Sequence, residues 1–210
     1  MKLQGLKANF LGDSITEGCG TESEQAIYWN VLKQEAGLAE ARGYGIGGTR
    51  ISRQVIPSAE VRWDMDFLSR VETMDADADL VVFFGGTNDF EHGNAPLGTM
   101  SDRTPYTFYG ACHLLMRSLI EHYPKATIVG MTPLHREIEE NGGRRLIDFV
   151  HAEKEVAEYY SIPMLDLYAV SGIQPQVPII KEMYCPDGLH PNDAGHYRIY
   201  SRLRGFLEQL

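Results

Sequence analysis

Apolar residues fall into short continuous runs separated by longer stretches of helical spacing. Ala8–Leu11 reads as a first strand. Tyr28, Val31, Leu32 and Ala36 recur at helical spacing, with Gly37 where a C-cap glycine belongs. Leu80-Val81-Val82-Phe83-Phe84 is wholly apolar and ends at Gly85-Gly86, as expected of a strand buried on both faces. Phe108, Cys112, Leu115, Met116, Leu119, Ile120 and Tyr123 share one face of the next helix, with His113, Arg117 and Glu121 on the other. Pro124 stops it. Thr127–Met131 reads as a further buried strand, and Leu146 to Tyr160 as a helix. Pro163–Leu167 predicts a strand and Asp193 to Leu210 a final helix.

Alternation of this kind predicts an α/β fold: one doubly wound, flavodoxin-like parallel sheet of about five strands with helices on both faces. The 210 residues suit a single domain, 1–210. Two long loops, about 89–104 and 168–186, follow strand ends at the edge where such sheets place ligands.

The net charge of −10, with no basic block, speaks against nucleic acid or an anionic membrane as partner. Three cysteines, Cys19, Cys112 and Cys185, show no metal-type spacing, and no metal or other cofactor is expected. Without an apolar run before Ala8 or a stretch able to span a bilayer, the chain reads as cytoplasmic.

Four short blocks carry the chemistry. Gly12-Asp13-Ser14-Ile15-Thr16 follows the first strand, so Ser14 stands at the carboxyl edge of the sheet. Taken alone, the block is equally a turn with Ser14 as N-cap and Asp13 bonding its own loop. Gly43-Tyr44-Gly45-Ile46-Gly47-Gly48 matches the dinucleotide pattern formally. It follows the wrong strand for that role and lacks a Lys-Ser or Lys-Thr, so it reads as exposed backbone N–H groups beside a ligand. Gly85-Gly86-Thr87-Asn88-Asp89 brings a carboxamide to the same edge. Asp187 and His190 in Asp-Gly-Leu-His-Pro place a carboxylate and an imidazole three residues apart before the last helix. His196 reads as a packed histidine.

Together these blocks resemble the SGNH hydrolases, the GDSL esterases and lipases, in order and spacing from Leu11 to Asn192. The departure is Gly43, where many members carry asparagine; it touches a supporting hydrogen bond, not the chemistry. The resemblance implies a carboxylic ester hydrolase with Ser14 as nucleophile, His190 as base and Asp187 as its orienting carboxylate. It also implies an oxyanion site made by the N–H of Ser14, the N–H of Gly48 and the side chain of Asn88. Tyr44, Phe90, His92 and Tyr106 are expected to line a small cleft. The favoured substrate is a short-chain acyl ester, with acetyl esters of carbohydrates named first. The alternatives are an acyltransferase of the same chemistry and a non-catalytic sugar- or small-molecule-binding module.

Overall fold

The computed structural model describes residues 1–210. Its central sheet has five parallel strands in the order β2-β1-β3-β4-β7. These are β1 (Lys7–Gly12), β2 (Glu40–Gly45), β3 (Leu80–Phe84), β4 (Thr127–Met131) and β7 (Met164–Leu165). A two-stranded antiparallel hairpin, β5 (Glu140–Asn141) and β6 (Arg144–Arg145), stands apart. This is the flavodoxin-like order anticipated above.

Side-chain alternation along the strands divides the interior into two cores. Phe10, Leu80, Val82, Phe84, Val129 and Met131 point to one side. There α2 (Tyr28–Ala36) and α9 (Asp193–Gln209) cover them with Leu32, Ile199, Leu203 and Leu207. Leu11, Val81, Phe83 and Ile128 point to the other, under α5 (Phe108–His122) and α6 (Leu146–Tyr159). With both faces covered, β3 has to be apolar throughout, and all five of its residues are buried.

The helix boundaries follow local chemistry. Gly37 ends α2 in the left-handed conformation, φ 68°. Thr107 caps α5 through the Gly110 N–H, and Asn192 caps α9 through the Gly195 N–H. Several expectations need correction. The strand read over Pro163–Leu167 pairs only through Met164–Leu165, because Asp166 caps the short α7 (Leu167–Val170). The loops begin or continue as helix: α4 is Thr87–Glu91 and α8 is Pro178–Tyr184. His113 is fully buried rather than solvent-facing, with one ring nitrogen 3.0 Å from the Met100 carbonyl. No helix is long and apolar enough to cross a membrane.

The chain runs from β1 outward to β2, then back past β1 to β3. The crevice at that reversal lies between the carboxyl ends of β1 and β3, the place where open α/β sheets bind ligands.

Candidate active site

Ser14 follows β1 as the first residue of α1 (Ser14–Glu17) and is 7% exposed. Asp13, not Ser14, is the N-cap: its Oδ1 accepts the Ile15 N–H at 3.0 Å. Asp13 is buried, and desolvation pushes its carboxyl up to about 6 despite that hydrogen bond. Gly12 makes the tight turn possible, because a Cβ there would collide with the Thr16 side chain.

His190 reaches Ser14 from the far end of the chain. Its Nε2 lies 3.1 Å from Ser14 Oγ, and its Nδ1 lies 2.7 Å from Asp187 Oδ2. Asp187 Oδ1 also accepts the N–H groups of Leu189 and His190, at 2.8 and 2.7 Å. Partial burial would raise the Asp187 carboxyl, but these donors outweigh it and hold it below the usual carboxylate range. An ionised Asp187 accepts a hydrogen bond from Nδ1–H, leaving the Nε2 lone pair to the serine hydroxyl. The loop after α1 packs directly on this segment: a Cβ on Gly20 would collide with the Pro191 carbonyl.

The second block, Gly43–Gly48, divides at the end of β2. Gly43, Tyr44 and Gly45 are strand residues, not a ligand loop, and only Gly47-Gly48 turn over the sheet edge. Gly48 has φ 77°, and a side chain on Gly47 would sit 3.6 Å from Ser14 Cβ. The Gly47 N–H donates to Glu17 Oε2 at 2.7 Å. The N–H groups of Ser14 and Gly48 donate to no atom of the chain. Asn88, on the first turn of α4, spends one Nδ2 hydrogen on the Thr49 carbonyl at 3.0 Å. Its neighbour Asp89 accepts the N–H groups of Ile51 and Ser52, both at 2.9 Å. The Asn-Asp pair therefore fastens the end of β3 to the loop after β2. Burial raises the Asp89 carboxyl to about 6.

Two expected cleft residues, Phe90 and Tyr44, stand elsewhere. Phe90 is fully buried, edge-on to Phe149 in the core beneath α6. The helical turn that presents Asn88 to the edge rotates residue 90 inward. The Tyr44 hydroxyl donates to Asp75 Oδ2 at 2.7 Å and accepts the Asp75 N–H, which points its ring away from Ser14. Tyr106 is 45% exposed. His92 does border the site, between Arg50 and Asn88. His196 is fully buried, and desolvation lowers its imidazole to about 4.

Periodicity carries no trace of other contributors. The Trp63 indole lies over Gly48, where any Cβ would collide with it, and its ring centre is 4.8 Å from that of His92. Buried Arg70 donates to the carbonyls of Gly12 and Tyr44 and to Thr49 Oγ1, tying the ends of β1 and β2 together. Glu17 bridges the Gly47 N–H and Arg62. The only advance signal for buried Arg50 is its place two residues after Gly48, and Arg70 has none. No group of three or more His, Cys, Asp or Glu side chains is placed to hold a metal ion.

A five-stranded flavodoxin-like sheet whose switch point carries a hydrogen-bonded serine, histidine and aspartate is the arrangement of an SGNH-type hydrolase. The chain belongs to the GDSL-like Lipase/Acylhydrolase family, whose profile matches residues 10–198. One solved structure is 33% identical, with a TM-score of 0.89 over 100% of this chain and 99% of that one. A protein from Lactobacillus plantarum is 29% identical, with a TM-score of 0.87 over 98% of each chain. The lipase/acylhydrolase from Enterococcus faecalis shares the fold at 21% identity and TM-score 0.69, over 98% of this chain and 97% of that one. No curated protein sequence is significantly similar. A hydrolase acting on acyl bonds is the function that this family supports.

Proposed function

We propose that the protein hydrolyses short-chain carboxylic esters through an acyl-enzyme on Ser14, with acetylated carbohydrates as the favoured substrates. The observation that carries this reading is His190, hydrogen-bonded to Ser14 Oγ at 3.1 Å and to Asp187 at 2.7 Å. His190 Nε2 takes the hydroxyl proton as Oγ attacks the ester carbonyl carbon. Asp187 stabilises the imidazolium that forms. The carbonyl oxygen, now negative, receives the N–H groups of Ser14 and Gly48 and the free Nδ2 hydrogen of Asn88. His190 returns the proton to the leaving alkoxide. It then deprotonates the water that releases the acid.

The preference for a small acyl group rests on Trp63, whose indole fills the space over Gly48. The same partly buried ring offers an apolar face to a sugar, and Glu17 and Arg62 add a polar rim.

A panel of p-nitrophenyl esters of increasing chain length, with acetylated sugars, tests the reading. Hydrolysis falling off with chain length, and fluorophosphonate labelling lost in Ser14→Ala, are expected. Absence of labelling would favour a binding module. Transfer to an added alcohol outpacing hydrolysis would favour an acyltransferase.

A further inference from the structure

We propose that Arg50 and His92 form a relay that fixes the Asn88 carboxamide, making His92 a positioning residue of the oxyanion site rather than a substrate contact. The proposal rests on the acyl-transfer reading above.

Its first link is Arg50, which is 1% exposed. Arg50 Nη1 lies 3.2 Å from His92 Nδ1. A guanidinium has no acceptor, so Nδ1 must present its lone pair. The imidazole then carries its single proton on Nε2. Nε2 lies 3.3 Å from Asn88 Oδ1. The amide oxygen is thereby the end that faces His92. Nδ2 is turned towards the Thr49 carbonyl, with one hydrogen left over for the oxyanion. A flipped amide would set an NH2 against the Nε2–H and a carbonyl against a carbonyl.

Neither end of the relay is free to swing. Arg50 Nη2 donates to Ser58 Oγ at 2.5 Å, to the Trp63 carbonyl at 3.1 Å and to Asp64 Oδ1 at 2.7 Å. Trp63 packs on the His92 ring. Burial and then the Arg50 charge lower the His92 imidazole; Glu91 opposes this shift and Arg136 adds to it. Cooperative hydrogen bonding also gives the arrangement a catalytic sense. Donation into Oδ1 polarises the carboxamide and strengthens Nδ2 as a donor when the oxyanion forms.

The test is a double-mutant cycle in p-nitrophenyl acetate hydrolysis. His92→Phe keeps a ring against Trp63 and removes both ring nitrogens. In the wild-type background kcat should fall about three- to tenfold, as for loss of one hydrogen bond, with KM unchanged. Asn88→Ala alone should cost about 10²–10³ in kcat. Adding His92→Phe to Asn88→Ala should cost nothing more, because His92 acts only through Asn88. An equal further loss in both backgrounds, or a change confined to KM, overturns the proposal. Nitrogen-15 NMR of the wild-type imidazoles provides a readout independent of turnover. His92 should be the neutral Nε2–H tautomer at neutral pH, and an Nδ1–H tautomer overturns the relay. If the wild type hydrolyses no ester, the acyl-transfer reading fails by itself, and the tautomer alone decides the relay.

Discussion

Ser14 Oγ and His190 Nε2 lie 3.1 Å apart although 176 residues separate them in the chain. The approach depends on the loop after α1, which holds the His190–Pro191 backbone against Gly20. Ser14 itself supplies little to that packing. Ser14→Ala should therefore remove turnover, on the order of 10⁶ in kcat. It should leave stability within about 1.5 kcal/mol of wild type, the net worth of one hydrogen bond. Steady-state kinetics and urea denaturation on the same preparation check this. Near wild-type turnover by a folded Ser14→Ala would end the nucleophile assignment.

Trp63 and Gly48 make a second prediction. The indole occupies the space beside the Gly48 N–H, so the acyl chain meets it within a few atoms. Trp63→Ala should improve kcat/KM for butyrate and longer esters relative to acetate. The expected gain is about tenfold or more per accommodated methylene. The ratio of acetate to hexanoate rates measures it directly. An unchanged ratio would place the acyl group on another side of Ser14.

Gly43 departs from the asparagine that many SGNH hydrolases carry, and the structure gives a physical reason. Trp29 lies across it: a Cβ on Gly43 would come within 2.5 Å of the indole. That indole donates from Nε1 to the Thr16 carbonyl at 3.0 Å, bracing the helix that carries Ser14. Gly43→Asn should thus destabilise by about 1–3 kcal/mol through overpacking. In a Trp29→Ala background its cost should be smaller. Denaturant midpoints of the two single variants and the double variant decide it, and strict additivity would refute the exchange.

Much of this was legible in the sequence because it is local. Leu80–Phe84 had to be a doubly covered strand, and the order of the blocks brought Ser14, Asn88 and His190 to one edge. What escaped the sequence is long-range or rotational. Phe90 looked like a cleft residue until Thr87–Glu91 proved helical, which turns residue 90 into the core and residue 88 to the edge. Trp63 and Arg50 act through neighbours made by folding: the indole reaches Gly48, and the guanidinium reaches His92 across 42 residues. Neither leaves a periodic signature, since Arg50 sits in irregular backbone and Trp63 in a single 3-10 turn, Val61–Asp64, between β2 and β3.

Glu153, on α6, is fully buried, and neither carboxylate oxygen has a hydrogen-bond partner. Burial first, then the charges of Asp89 and Asp13, raises its carboxyl well above the ordinary value. Such a group folds neutral but is ionised in the unfolded chain above about pH 4.5. The native state then binds the extra proton, so stability falls as pH rises. Other shifted carboxyls and imidazoles cancel or drop out by neutral pH. Raised Asp13 and Asp89 titrate up to about 6 and act in the same sense as Glu153. Lowered His92, His113 and His196 act in the opposite sense between their folded values and about 6.5. Between about pH 7 and 8 Glu153 dominates; above that the raised thiols of Cys19, Cys112 and Cys185 act in the same sense. Between about pH 7 and 8 wild-type stability should then decline by about 1.4 kcal/mol per pH unit, as long as Glu153 stays protonated in the folded protein. Glu153→Gln keeps the shape and removes the titration, so its stability should stay level across that range. Urea denaturation of both proteins at several pH values tests this, and parallel pH profiles would show that Glu153 is already ionised in the folded state.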